Sequence, residues 1–289
     1  MNSIKRMRDR PMEPIILRGR PVVQEIEANL SERVKRLQTK GITPCLATIL
    51  VGNDPASATY VRMKGQACER NQLLSRRIHL PETVDTSALV GVIKKLNDDP
   101  AVHGILLQHP VPGHVDERAA FEAIATEKDV DGVTSSGFGR MSLGLDSHHS
   151  CTPEAVLNIL DHYEIPIKRK RAVVLGRSPI LGKPVSMLLL NRDATVTTCH
   201  SQTESIEEIV READILVAAV GKSRFVQGSW IKPGAVVIDA GYSENTGDVD
   251  YATSLSVVSA ITPVPGGVGP VTIANLLKNT VTATEQIYS

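Results

Sequence analysis

Tyr60 and Lys64 stand four residues apart in a stretch that Asp54 and Pro55 open as a helix, an N-cap residue followed by a proline at the first helical position. At that spacing the two side chains share one helix face. A lysine on such a helix is usually a solvated charge. This helix, however, starts at the carboxyl end of an apolar strand over residues 44–52, where open α/β sheets bind ligands. A lysine buried there beside a cation has a lowered pKa and can move protons near neutral pH. The run Gln108-His109-Pro110-Val111-Pro112 also follows a strand, residues 104–107 (GILL). Gln108 offers an amide to a partner, and the prolines fix the turn and deny it helix or sheet bonding; a purely structural turn has the same composition. Asp129-Val130-Asp131-Gly132 reads either as a helix-terminating turn or as the source of a carboxylate for a ligand bearing an amidine-like N–H pair.

A second constellation lies in residues 172–184, AVVLGRSPILGKP. An apolar strand runs into Gly176, then Ser178, Gly182 and Pro184, and then a helical pattern over 185–191. A helix start presents unpaired N–H groups and the positive end of a dipole, which suits a phosphate. The spacing is G-x-S-x-x-x-G rather than the G-x-G-x-x-G dinucleotide fingerprint, so the motif alone also fits an ordinary strand-to-helix turn. An NAD site places an acid at the end of its second strand. Here that strand ends in His200-Ser201-Gln202-Thr203, and Arg177 sits in the glycine turn itself. A hydroxyl and a guanidinium without a carboxylate favour a 2′-phosphate, hence NADP. The plainer alternative is that Ser201 and Thr203 only cap the next helix. Thr262-Pro263-Val264-Pro265-Gly266-Gly267-Val268-Gly269-Pro270 packs three prolines and three glycines among nine residues, which suits a rigid loop whose backbone approaches a ligand closely.

These residues must be positioned by alternating strands and helices. Apolar spacing gives helices over 22–37, 56–72, 85–96 and 117–124, with strands over 44–52, 76–80 and 104–107. Residues 137–150, rich in Gly, Ser and His, read as a linker. The second half repeats the pattern: a helix over 153–162, strands over 171–175, 194–199, 215–219, 235–239 and 257–261, and a final helix from about 272 to 286. Continuous apolar strands alternating with helices imply parallel sheets covered on both faces, and the second half reads as a doubly wound dinucleotide domain.

The 289 residues suit one large domain or two ordinary ones, and 42% hydrophobic residues suffice for a core. The 32 basic residues balance the 32 acidic ones, and aromatic residues make up only 3%, which argues against a nucleic-acid or membrane-surface binder. The four cysteines (Cys45, Cys68, Cys151, Cys199) show no metal-ligand spacing, so no metal is expected. No signal peptide and no bilayer-length apolar run are visible, so a cytoplasmic protein is expected, with a basic tip (Lys5, Arg6, Arg8, Arg10) that frays.

Taken together, VGNDPAS…YVRMK (51–64), GILLQHPVP (104–112), KDVDG (128–132), GRSPILGKP (176–184), TVTTCHSQT (195–203) and TPVPGGVGPVT (262–272) resemble the bifunctional methylenetetrahydrofolate dehydrogenase/cyclohydrolase family over residues 15–283. The resemblance implies two αβα domains with a cleft between them, the C-terminal one a Rossmann-type NAD(P)-binding domain. The boundaries would be 1–150 for a folate-binding catalytic domain, with helix 271–289 crossing back to it, and 151–270 for the NADP domain. It implies oxidation of 5,10-methylenetetrahydrofolate by NADP and hydrolysis of the methenyl cation to 10-formyltetrahydrofolate in one-carbon metabolism, by a homodimer. Tyr60 matches the tyrosine that packs on the folate, Lys64 the lysine essential for hydrolysis, Gln108 its hydrogen-bonding partner and Asp131 the carboxylate that grips the pterin. Leu107 and His109 flank that glutamine on the substrate side. Pro265, Gly266, Gly267, Val268, Gly269, Pro270, Val271, Thr272 and Ile273 match the folate-side wall. Gly176, Arg177, Ser178, Ser201 and Tyr242 match cofactor contacts.

The chain departs from the family pattern in places. His109 stands where many members carry leucine, Gln66 where a second lysine is frequent, and Arg18 where an aspartate is common. Tyr242-Ser243 replaces a usual Ile-Asn, and the segment 244–248 is shorter than usual. His109 and Tyr242 motivate a dehydrogenase-only alternative, and a non-catalytic folate or nucleotide binder on the same scaffold is a third.

Overall fold

The computed structural model of the protein describes residues 13–243 and 245–289. The basic tip expected to fray lies outside the described residues. In chain order the elements are β1 (Ile15–Ile16), α1 (Gly19–Thr39), β2 (Cys45–Val51), α2 (Pro55–Arg70), β3 (Leu74–Leu80), α3 (Thr86–Asp98), β4 (Gly104–Leu107), α4 (Glu117–Glu122), α5 (Ser135–Ser142), α6 (Cys151–His162), β5 (Arg171–Leu175), α7 (Gly182–Asn191), β6 (Thr195–Cys199), α8 (Ile206–Val210), β7 (Ile215–Ala218), β8 (Val236–Asp239), α9 (Tyr251–Ser254), β9 (Ala260–Ile261) and α10 (Val268–Ile287). They form two compact units: Pro21–Ala155 with Pro270–Ser289, and the chain up to Arg20 with Val156–Gly269.

The first unit carries a three-stranded parallel sheet in the order β3-β2-β4. Every residue of β2 and β4 is buried, which is why both read as unbroken apolar runs. Edge strand β3 instead exposes Leu74, Arg76 and Arg77 and buries no residue fully. Leu30, Val34 and Leu37 form one stripe of α1 and share a core with Leu46, Leu106, Leu276, Leu277 and Val281. Each such side chain contributes about 1.5–3 kcal/mol by leaving water. Asp54 caps α2 through a 2.7 Å bond from Ser57 N to its Oδ2, and Asp85 caps α3 through a 2.7 Å bond from Ala88 N.

The expected linker at 137–150 is instead partly helical and belongs to this unit. Thr134 caps α5 by accepting from Gly137 N at 3.1 Å, and Met141 is 1% exposed. A cap and one anchored apolar residue outweigh the weak helix propensity of a Gly/Ser-rich stretch.

The second unit carries a six-stranded parallel sheet, β1-β9-β8-β7-β5-β6. The chain goes from β5 outward to β6, then returns to β7 on the other side of β5, so its direction of growth reverses between β5 and β7. In such sheets ligands bind at the carboxyl ends of the strands at this reversal. Val173, Leu175, Leu216, Val237 and Ile261 fill one core under the sheet. Strand β1 pairs in register with β9, Ile15 opposite Ala260 and Ile16 opposite Ile261. Two residues carry no periodicity, so β1 was invisible in the sequence.

Candidate active site

In the first unit, α2 and the turn after β4 bring two of the expected residues together. Lys64 Nζ donates to Gln108 Oε1 at 3.0 Å. Gln108 is 8% exposed, and its other amide atom, Nε2, donates to His109 O at 2.7 Å. Leu107, 2% exposed, ends the buried strand. The two acids of the 129–132 turn have separate duties. Asp129 is structural: its carboxyl accepts from Val133 N at 3.0 Å and Thr134 N at 2.9 Å, the helix-terminating use that Asp and Gly commonly serve. Asp131 shares an electrostatic neighbourhood with Lys64 and a hydrogen bond with Cys151. Gly132 sits at φ +63°, and a Cβ there would meet Ser150 N at 2.5 Å, so the turn requires glycine.

Burial dominates the electrostatics. It pushes the Lys64 amine below its ordinary value, opposed by the nearby Asp131 charge. It pushes the Asp131 carboxyl above its ordinary value, opposed chiefly by Lys64. Both directions favour the neutral forms, which is the direction a proton-accepting amine requires. His109 is held above the usual imidazole range, chiefly by its hydrogen bond with Glu117. Tyr60 lies one turn before Lys64 on α2 and is half-buried.

Three contributors were missed by sequence reasoning. Cys151 stands wholly buried beside Asp131, its Sγ donating to Val130 O at 3.3 Å. Asn279 of α10 donates to Val130 O at 2.9 Å and His149 O at 3.1 Å, and Asn275 donates to Cys151 O at 3.2 Å. The signal was Asn275 and Asn279 standing four apart beside Ala274, Leu276 and Leu277 on α10: asparagines buried among apolar neighbours stay inside only when hydrogen-bonded.

In the second unit, the turn after β5 stands at the sheet's reversal. Gly176 has φ +116°, and a Cβ on it would lie 2.1 Å from Ala219 O at the end of β7. A Cβ on Gly182 would lie 2.2 Å from Gly176 O. Both positions therefore need glycine for close backbone approach, the requirement of a phosphate-binding turn. Ser178 folds into the turn, its Oγ accepting from Gly182 N at 3.3 Å and its carbonyl from Lys183 N at 3.0 Å. Arg177 and Ser201 are exposed. The capping alternative for Ser201 and Thr203 fails: Ser205 precedes α8 without a side-chain cap bond, and Thr203 Oγ1 instead accepts from His200 N at 2.9 Å. The arrangement fits a dinucleotide, with a cradle that any side chain at 176 or 182 would fill.

Two buried acids hold the neighbouring loops from behind. Asp248 accepts from the backbone N–H groups of Val220, Gly221 and Lys222 after β7. Asp239, pushed up to about 6 by burial, accepts from Gly241, Asp248 and Val249. Tyr242 projects beyond them, 46% exposed, and donates to Asn245 Oδ1 at 2.7 Å.

The glycine- and proline-rich stretch is shorter as a loop than expected, because α10 starts at Val268 rather than near 272. Pro270 falls in its first turn, where a missing N–H costs nothing. Within it Val271 and Ile273 are buried, Thr272 is half-buried, and Pro265, Gly266, Gly269 and Pro270 are exposed. Gly267 is buried, and a Cβ there would meet Pro263 O at 2.7 Å. Among the described residues, no group of three or more His, Cys, Asp or Glu could hold a metal ion. No helix among them is long and apolar enough to cross a membrane.

Comparison with known proteins matches both halves of the chain to one family. Residues 17–131 match the tetrahydrofolate dehydrogenase/cyclohydrolase catalytic domain, and residues 150–288 match the NAD(P)-binding domain of the same family. The bifunctional protein FolD of Shouchella clausii is 61% identical over 275 residues, covering 95% of this chain and 99% of the relative. The bifunctional FolD enzyme of Campylobacter jejuni superposes with a TM-score of 0.91 at 41% identity, over 94% of this chain and 99% of that one. The Trypanosoma brucei methylenetetrahydrofolate dehydrogenase-cyclohydrolase, solved with NADP cofactor and inhibitor, superposes with a TM-score of 0.91 at 39% identity, over 96% and 99%. The chain belongs to the tetrahydrofolate dehydrogenase/cyclohydrolase family.

Proposed function

We propose that the protein oxidises 5,10-methylenetetrahydrofolate with NADP and hydrolyses the resulting methenyl cation to 10-formyltetrahydrofolate. The observation that carries the hydrolytic half is the 3.0 Å bond from Lys64 Nζ to Gln108 Oε1, at a half-buried lysine whose amine desolvation pushes below its ordinary value. It also weighs against the dehydrogenase-only reading, which gives this pair nothing to do. Gly176, Arg177, Ser178, Ser201 and Tyr242 would hold NADP, and bound there it supplies the hydride acceptor. Hydride transfer asks mainly that two rings be held in order, so positioning carries that step and no protein acid or base is required.

Hydrolysis does require proton transfer. Donation to Gln108 occupies one N–H of neutral Lys64 and leaves its lone pair free. The amine takes a proton as water adds to the methenyl carbon. A proton returns to the ring nitrogen as its bond to that carbon breaks, and one proton passes to solvent. A cationic intermediate next to Lys64 further disfavours its protonation. Asp131 grips the pterin N–H groups, with Tyr60, Leu107 and His109 beside it and Pro270, Val271, Thr272 and Ile273 of the same unit forming the folate wall. The enzyme acts in the cytoplasm as a homodimer, a state that sedimentation tests directly.

The decisive assay supplies methylenetetrahydrofolate with NADP or NAD to the wild-type protein and to Lys64→Ala. Methenyl and formyl products with NADP, and loss of the formyl product alone in Lys64→Ala, are expected. No product with either nucleotide would end the reading.

A further inference from the structure

Between Gln108 and helix α4 runs a chain of contacts that the proposed chemistry does not use. The Gln108 amide is held at both ends, by Lys64 on its oxygen and by His109 O on its nitrogen. An amide reversed by half a turn would set N–H groups against the amine and oxygen against the carbonyl. The His109 carbonyl therefore decides which end of Gln108 faces Lys64. That carbonyl belongs to a turn whose prolines leave it with neither helix nor sheet bonding.

The turn is tied instead by one carboxylate. Glu117 Oε1 accepts from His109 Nδ1 at 2.7 Å and from Val111 N at 3.2 Å. A carboxylate only accepts, so Nδ1 carries the hydrogen. Glu117 is the first residue of α4, where the helix dipole favours a negative charge, and Asp116 caps the same helix by accepting from Ala119 N at 3.0 Å. The carboxylate thus has a fixed base on a capped helix and bonds to both sides of Pro110.

We propose that Glu117 is a positioning residue for the hydrolytic step. It holds the 109–111 turn, the turn orients the Gln108 amide, and the amide aims the Lys64 lone pair. The hydride step does not pass through this chain of contacts. The inference rests on Lys64 being the proton-moving group.

The test compares Glu117→Ala, Glu117→Gln and Lys64→Ala, assaying hydrolysis of methenyltetrahydrofolate and oxidation of methylenetetrahydrofolate separately. Misplacing a catalytic group by about 1 Å can cost on the order of 100-fold, so Glu117→Ala should lose about 10- to 100-fold in hydrolytic kcat. Its KM for the methenyl compound and its dehydrogenase kcat should stay within about twofold of wild type, which also reports that the variant is folded. Glu117→Gln keeps an acceptor oxygen for both donors and should recover most of the loss. Parallel loss of both activities, wild-type hydrolysis in Glu117→Ala, or no recovery in Glu117→Gln would overturn the proposal. If Lys64→Ala loses hydrolysis while Glu117→Ala does not, only this proposal falls. If Lys64→Ala hydrolyses normally, the reading beneath it falls as well.

Discussion

The two units prepare their sites in opposite ways. The first half-buries two ionisable side chains, Lys64 and Asp131, and desolvation drives both toward their neutral forms. The second keeps its ionisable groups behind. Asp239 and Asp248 gather backbone N–H groups of the loops after β7 and β8, and the turn after β5 offers glycine backbone. The difference follows the chemistry. Hydrolysis needs a group whose proton affinity has been adjusted, whereas holding a nucleotide needs fixed backbone and room.

Substitutions should therefore fail differently in the two units. Lys64→Ala should lower hydrolysis on the order of a thousandfold, within the range of general acid–base contributions, and spare hydride transfer. Gly176→Ala should do the reverse in kind: φ +116° and an oxygen 2.1 Å from the new Cβ leave it no place. We expect about 3–5 kcal/mol of lost stability, read by denaturant unfolding, together with lost NADP binding.

Asp239 gives the second unit a pH signature. Burial raises its carboxyl from 3.8 to about 6. Between those values the folded chain keeps a proton that the unfolded chain releases, so stability falls as pH rises through that window and is level above it. The fall amounts to at most about 3 kcal/mol, and Asp239→Asn should remove it. The smallest effect is expected at Arg177. If Arg177 reads the 2′-phosphate, loss of its exposed guanidinium should raise the KM for NADP about tenfold and leave that for NAD unchanged. Equal effects on both nucleotides would remove Arg177 from phosphate recognition.

Much of this was legible in residue order, for identifiable reasons. Unbroken apolar runs gave β2 and β4, and Asp54-Pro55 gave the start of α2, because burial and capping act locally. Strand β1 was not legible, since two residues show no period and only pairing with β9 makes them a strand. Helix α5 was hidden by its glycines and serines, and its stability comes from Thr134 and the buried Met141. At the candidate site, strand ends and spacing singled out Lys64 and Gln108, which a 3.0 Å hydrogen bond joins, whereas Asp131 was singled out only by the family resemblance. The division of labour between Asp129 and Asp131 did not, because it depends on which carboxyl the backbone of Val133 and Thr134 occupies. The role of Cys151 depends on α10, more than a hundred residues downstream, placing Asn275 and Asn279 against that turn.

The account rests on the buried amine of Lys64 being neutral when it works. The most direct measurement is hydrolytic kcat against pH with methenyltetrahydrofolate as the added substrate. Activity should rise with pH along a single limb that levels off below 10.5, the ordinary lysine value, and Lys64→Ala should lack that limb. A limb that tracks an ordinary exposed lysine, or one that persists unchanged in Lys64→Ala, would contradict it.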